Sequence, residues 1–241
     1  MPPPQHTPSL TEDDIKRSEM NLKAQYDKII GEEEPRAIRE CLHKARMEAF
    51  TNEANALSIS PEDVSAAVQP LIELCTKENI AKGKNWAVEL ISRGETYTEL
   101  VAKYLLMRVQ NTDANFETRL HIVYLINDLL NYLKRHAEVA QYQSPLHQII
   151  VPVYSLALEM ADEEAKQVKL TRVLGLWEKN AYLPDDVLKN MREESDRENF
   201  MKDWKAKQNE VSVMDIISLK ILLLDVFTKG CRSESCIHIP L

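Results

Sequence analysis

The segment from His121 to Arg135, HIVYLINDLLNYLKR, repeats apolar residues at steps of three and four. The repeating positions are Ile122, Leu125, Ile126, Leu129, Leu130 and Leu133. In an α-helix this spacing forms one broad apolar face, which is stable in water only when other elements cover it. The segment therefore predicts a helix packed into the core of a larger helical array.

The opposite side of the same predicted helix carries a narrow set of polar and aromatic residues. Tyr124, Asn127, Asp128, Asn131 and Arg135 follow the same helical steps and share one face. A solvated outer face is the ordinary interpretation of such a side. Here only Arg135 is a long flexible charge, and the other residues can form hydrogen bonds or offer a ring. This composition favours a surface that recognises a partner.

Composition and charge narrow the fold class and the possible partners. The 241 residues include only five glycines, and together with many Leu, Ala, Glu and Lys residues this predicts an all-α protein. The net charge of −8 gives no global field that would attract nucleic acid or an anionic membrane. Any anion that the chain binds must therefore meet a local basic patch.

The four cysteines fit a reducing compartment, because they are too few for a disulfide framework. Cys41 and Cys75 are interpreted as small buried hydrophobic residues. Cys231, Cys236 and His238 match no standard zinc spacing. The sequence has no phosphate loop, HExxH or GxSxG motif, so we predict no enzyme, no cofactor and no metal site. The N-terminus shows no signal peptide, which indicates a cytosolic or nuclear protein.

The predicted organisation has four parts: a disordered Pro-rich start (1–9), an N-terminal helical extension (10–57), a helical domain (58–195), and a polar linker with an atypical apolar tail (196–241). In the extension, a first charged helix is expected to end at Gly31 and a second one to follow. The tail is too interrupted by charge to span a membrane. It is interpreted either as an extra amphipathic helix or as an end produced by alternative processing of the transcript, and its composition favours the second.

Cap and breaker residues divide the helical domain. Ser60 before a proline predicts a helix start, and Thr96 with Glu99 predicts a capping box. Pro152 is expected to kink or split the helix that contains it. Short links between the helices predict a compact helical array, whose handedness the periodicity does not determine.

The segment KQVKLTRVLGLW predicts a second helix with a basic face. Its expected core residues are Val168, Leu170, Val173, Leu174 and Trp177. Lys166, Lys169 and Arg172, spaced by three, place positive charge on a neighbouring face. A solvated face is again the alternative. The guanidinium of Arg172 can bind a phosphate with two parallel hydrogen bonds, so this helix beside the Tyr–Asn–Asp helix would suit a phosphorylated peptide.

YLINDLLNYLKR and KLTRVLGLWEK resemble the paired signatures of the CTD-interacting domain family, and the resemblance extends over residues 20 to 195. It implies a right-handed superhelical array of about eight helices, here preceded by N-terminal charged helices. It also implies binding of the phosphorylated heptad repeats (YSPTSPS) of RNA polymerase II. By resemblance, Asn127 and Asp128 contact the peptide turn and its tyrosine, Arg172 binds phosphoserine, and Tyr124 lines the groove. We expect Asn131 and Lys169 to complete the site.

The resemblance implies a non-catalytic module in the nucleus that couples transcription to pre-mRNA splicing and processing. The phosphorylated polymerase tail is then the main partner, and splicing factors are further partners. No sequence feature supports direct RNA binding, and we expect no membrane association. The alternative is a membrane-traffic adaptor of the VHS or ENTH type, which shares this architecture and binds acidic sorting peptides or phosphoinositides.

Overall fold

The structure is a computed structural model that describes residues 12–208. Its helices are α1 (Glu12–Ala56), α2 (Pro61–Glu73), α3 (Lys77–Ile91), α4 (Glu95–Gln110), α5 (Phe116–Arg135), α6 (Ala137–Ala140), α7 (Ser144–Leu158), α8 (Glu164–Lys179), α9 (Asp185–Arg192) and α10 (194–208). The described residues contain no strand, which confirms the all-α prediction. The predictions for the Pro-rich start, the apolar tail, Cys231, Cys236 and His238 lie outside the described residues.

Helix α5 forms the centre of the helical domain. All six apolar residues of its predicted stripe are buried, so that prediction is confirmed. α5 contacts α2, α3, α4, α7 and α8, and α7 in turn packs against α4, α8 and α9. Burying so many Leu and Ile side chains, at about 1.5–3 kcal/mol each, makes this helix a large source of hydrophobic stabilisation.

The N-terminal extension differs from its prediction. α1 continues from Glu12 to Ala56, so the expected end at Gly31 is wrong. A single glycine in a helix costs only about 1 kcal/mol relative to alanine, so Gly31 alone is a weak signal for a helix end. The described residues divide into two compact units, with the boundary between Leu42 and His43. In the second unit, Phe50 and Ala54 are fully buried in the core.

One prediction from cap and breaker residues is confirmed, at Ser60, and those at Thr96 and Pro152 are corrected. The Ser60 hydroxyl accepts a hydrogen bond from the Asp63 backbone N–H at 3.2 Å, as predicted. Thr96 does not cap α4, because the helix already begins at Glu95, after Gly94 with a φ of 131°. A positive φ is accessible to glycine at little cost, so Gly94 makes the turn. α7 continues through Pro152 without a break, which rules out the predicted split.

Helix α8 buries fewer residues than predicted. Leu170, Val173 and Trp177 are buried, and Leu174 is half-buried. Val168 is 41% exposed, so its assignment to the core is wrong. It lies one turn before the exposed Arg172 and shares that face of the helix. Cys75 is also only half-buried, which corrects its assignment as a buried hydrophobic residue.

His147, in α7, is expected to make the stability of the folded chain depend on pH. Burial lowers the pKa of His147 below its ordinary value, and Asp186 nearby acts in the opposite direction. Its Nε2 is buried and has no hydrogen-bond partner among the described residues. The unfolded chain therefore binds a proton at this residue at a higher pH than the folded chain does, and below about pH 6.5 that proton favours unfolding.

We expect the melting temperature to fall as the pH decreases from about 7.5 to about 5.5, and to fall less in His147→Gln. The reason is that glutamine cannot take up the proton that favours the unfolded state. Thermal unfolding of both proteins at the two pH values measures the effect. An equal fall in the two proteins would show that His147 does not cause the pH dependence.

Candidate functional site

The polar face of α5 lies at the protein surface but is not fully exposed. Tyr124, Asn127, Asp128 and Asn131 are all half-buried. The Asn127 side-chain amide donates to the Asp128 carboxylate over 3.5 Å, which is at the limit of a hydrogen bond. The Asn127 Oδ1 is buried and has no partner among the described residues. This face therefore holds an acceptor that a donor from a ligand could satisfy.

The three predicted basic residues of α8 differ in how far other groups neutralise them. Lys166 forms an ion pair with Asp162 at 2.5 Å, and Lys169 forms one with Glu117 at 3.2 Å. Arg172 is exposed, and within residues 12–208 no ion pair or hydrogen bond engages its guanidinium. Of the three, Arg172 is thus the cation that remains most available to a ligand.

Tyr124 connects the polar face of α5 to the basic face of α8. Burial raises the pKa of Tyr124, while the positive charges of Lys169 and Arg172 lower it. Electrostatic effects of this kind require the two cations to lie near the phenol, and α5 and α8 are in contact. The structure therefore brings Tyr124, Lys169 and Arg172 into one neighbourhood. We call the surface formed by these three residues and the polar residues of α5 the α5–α8 face.

Two further residues at this face were not predicted from the sequence. Cys75 and Glu117 both raise the pKa of Tyr124, so both lie near it. Glu117 also accepts a hydrogen bond from the Lys169 ammonium and so offsets part of the predicted positive charge. The sequence signal for Glu117 is present, since it lies seven residues before Tyr124, two helical turns away on the same face of α5. Cys75 lies between α2 and α3, where no periodicity indicates a neighbour.

Asn131 is engaged by a residue outside the predicted site. The hydroxyl of Tyr182, which follows α8, donates to the Asn131 Oδ1 at 2.9 Å. Because Tyr182 occupies one lone pair of Oδ1, Asn131 offers a ligand the two N–H donors of its amide nitrogen and the second lone pair of Oδ1. No sequence pattern indicated this contact, since Tyr182 lies in a link without helical periodicity.

Tyr182→Phe should weaken binding of a ligand at Asn131 by about two- to tenfold. The variant removes the hydrogen bond that holds the Asn131 amide in place, and a neutral hydrogen bond contributes about 0.5–1.5 kcal/mol. The measurement is a titration with a phosphorylated YSPTSPS heptad peptide. Tyr142→Phe is a matched control, because Tyr142 is half-buried after α6. A loss in the control as large as in Tyr182→Phe would show that Asn131 is not part of the binding surface.

Comparison with known proteins identifies the domain that holds this face. The CID domain family matches residues 66–191, more than half of the 241 residues. The chain belongs to the CID domain family. The match includes all of α3 to α8, so the α5–α8 face lies within the CID domain. CID domains are helical, superhelical, non-catalytic binding modules that generally bind the C-terminal domain of RNA polymerase II.

The CID chain also has curated relatives. It is 32% identical over 192 residues to the calcium homeostasis endoplasmic reticulum protein of Mus musculus. The aligned residues make up 79% of this chain and 20% of that protein. The Homo sapiens protein of the same name is 32% identical over 180 residues, or 74% of this chain and 19% of that protein. The chain thus spans about a fifth of these relatives. No solved structure matches it.

Two other features were sought in the described part of the CID chain: a metal site and a membrane-spanning helix. Within residues 12–208, no group of His, Cys, Asp and Glu side chains is arranged to hold a metal ion. None of the helices in that range has both the length and the apolar character that crossing a bilayer requires.

Proposed function

We propose that the chain reads phosphorylated heptad repeats of the RNA polymerase II C-terminal domain through the α5–α8 face. The observation that carries this proposal is Arg172: an exposed arginine of a CID domain, unengaged within residues 12–208, on α8, which packs against the helix that holds Tyr124. A guanidinium in this state can bind phosphate without first breaking an internal ion pair. The family's general ligand provides such a phosphate when its serines are modified.

The remaining groups of the face match the other chemistry of a heptad peptide. The buried Asn127 Oδ1 can accept a backbone N–H of the peptide, and the Asp128 carboxylate can accept the hydroxyl of its tyrosine. A carboxylate that accepts an O–H forms a stronger bond than a neutral acceptor would. Recognition thus combines one charged contact to the phosphate with hydrogen bonds that orient the peptide.

Lys169 adds positive potential to the site, although Glu117 offsets part of it. The two side chains are 44% and 51% exposed, so solvent screens their ion pair and it can rearrange when a phosphate arrives. In a chain with a net charge of −8, Lys169 and Arg172 are the groups of the α5–α8 face that can attract a phosphate.

The cellular role extends the same proposal. Binding of the phosphorylated polymerase tail places the chain in the nucleus, where it couples transcription to pre-mRNA splicing and processing, with splicing factors as further partners. This part of the proposal is supported by the membership of the CID family and by the resemblance of the two signature helices. It requires neither catalysis nor membrane association.

The test is a titration of the full chain with two-repeat heptad peptides, unphosphorylated or phosphorylated at one serine at a time. We expect saturable binding that is tighter for at least one phosphorylated peptide. Acidic sorting peptides and phosphoinositide vesicles serve as the comparison ligands. Equal binding of all heptad peptides, or tighter binding of the comparison ligands, would contradict the proposal and favour a VHS- or ENTH-type adaptor.

A further inference from the structure

A cleft lies between α7, α8 and α10, away from the residues that the proposed function uses. Its volume is about 450 Å³, enough for a long side chain and its flanking backbone. Leu158 and Met201 provide apolar surface in the lining, and Ser155, Gln167, Glu194 and Glu198 provide polar groups. The cleft thus has an apolar part suited to an aliphatic stem and a polar part suited to a charged head.

Ser155 is an unusual member of this lining. The residue is only 4% exposed, and its Oγ has no hydrogen-bond partner among the described residues. Buried hydroxyls in folded proteins are normally hydrogen-bonded, because burial without a partner is unfavourable. A hydroxyl in this state at the wall of a cleft indicates that a ligand completes its hydrogen bonding.

The carboxylates of α10 indicate the charge of that ligand. Glu194 and Glu198 lie one turn apart on α10, and neither has an ion-pair or hydrogen-bond partner within residues 12–208. Glu159 in the same lining is neutralised by Lys205 at 2.8 Å, and one guanidinium nitrogen of Arg197 is used by the Met191 carbonyl at 3.1 Å. Arg197 keeps its positive charge and its other N–H donors, so the unpaired carboxylates of Glu194 and Glu198 leave these groups with an excess of one negative charge.

The end of α7 also favours a cation at this place. Ser155 and Leu158 belong to the last turn of α7, where the helix dipole places partial negative charge. This end already binds one guanidinium, since Arg119 of α5 donates a hydrogen bond to the Leu156 carbonyl. The same helix terminus can stabilise a second cation that enters the cleft from the solvent side.

We propose that this cleft binds the guanidinium of an arginine side chain from a partner peptide. A planar guanidinium has five N–H donors, which match the carboxylates of Glu194 and Glu198 and the hydroxyl of Ser155. The Gln167 side chain contributes its Oε1 as a further acceptor, because its amide nitrogen already donates to the Ala161 carbonyl at 3.0 Å. Leu158 and Met201 cover the aliphatic stem.

The proposal is tested with the full chain and a labelled Gly-Arg-Gly peptide, with the citrulline analogue as its neutral isostere. We expect saturable binding of the arginine peptide only. The double variant Glu194→Gln/Glu198→Gln should raise its Kd about tenfold or more, because it removes both charge-assisted bonds. The double variant Glu95→Gln/Glu99→Gln is the matched control, since it also neutralises two exposed carboxylates one turn apart on a helix. Its Kd should change by less than about twofold.

Three results would overturn the proposal: absence of saturable binding, equal binding of the citrulline peptide, or an equal loss in the α4 control. Ser155→Ala provides an independent check. We expect it to weaken arginine binding severalfold while leaving the melting temperature unchanged or higher, because the hydroxyl has no partner to lose within the described chain. A lower melting temperature with unchanged affinity would show that the hydroxyl serves the fold, and the proposal would fail.

Discussion

Arg172→Ala should abolish the preference of the chain for phosphorylated over unphosphorylated heptad peptides. Arg172 is the exposed cation of α8 that lies near Tyr124 and that no acidic side chain engages within residues 12–208. Hydrogen bonds to a charged group contribute about 1.5–3 kcal/mol, so affinity for the phosphorylated peptide should fall roughly ten- to a hundredfold. The weaker affinity for the unmodified peptide should remain, because it depends on α5.

Two variants define this effect more closely. Arg172→Lys should restore only part of the preference, because an ammonium keeps the charge but cannot form the two parallel bonds of a guanidinium. Arg192→Ala removes the same charge from α9, where Arg192 pairs with Glu178 at 2.6 Å, and should leave the preference unchanged. Higher salt should reduce the preference of the wild type and hardly affect Arg172→Ala. If Arg172→Ala retains the full preference, the basic face of α8 is only a solvated surface.

Asp128→Ala should weaken binding of the same phosphorylated peptide about five- to a hundredfold. Its carboxylate is the proposed acceptor for the peptide's tyrosine hydroxyl, and a buried donor left without a partner costs about 1–3 kcal/mol. The fold should be little affected, since Asp128 is half-buried and the hydrogen bond that it accepts from Asn127 is 3.5 Å long, with no other within residues 12–208. Isothermal titration and thermal unfolding of the same variant separate the two effects.

Asn127→Ala is the comparison for this prediction. Its Oδ1 is buried without a partner within residues 12–208, so its removal should weaken peptide binding and leave the melting temperature unchanged or slightly higher. The opposite pattern, in which Asp128→Ala unfolds the domain and Asn127→Ala has no effect on binding, would show that the pair has a structural role and does not bind the peptide.

Helical periodicity predicted the centre of this fold well, because burial follows spacing closely on a helix that is covered on one whole side. The six apolar positions of α5 are buried as expected. On α8 the same reasoning failed for Val168, since a helix at the margin of the array buries a narrower face and leaves its edge exposed. The start of α4 was missed because Gly94, through its positive φ, competes with the Thr96 capping signal.

The candidate site was predictable only within each helix. Spacing along α5 placed Tyr124, Asn127, Asp128 and Asn131 on one face, and all four are half-buried there. Other groups at this face come from distant parts of the chain. Tyr182 donates a hydrogen bond to Asn131, 51 positions earlier, and Lys169 donates one to Glu117, 52 positions earlier. Such contacts depend on how helices pack against one another, which a local sequence pattern does not encode.

The most direct test of the α5–α8 face is chemical-shift mapping of the isotopically labelled full chain during titration with a phosphorylated heptad peptide. We expect the largest changes at the Arg172 side-chain Nε–H, the Asn127 side-chain amide and the backbone of residues 124–131. The unphosphorylated peptide should leave the Arg172 resonance unchanged. Changes concentrated in the cleft between α7 and α10, with the resonances of Arg172 and Asn127 unmoved, would contradict this expectation.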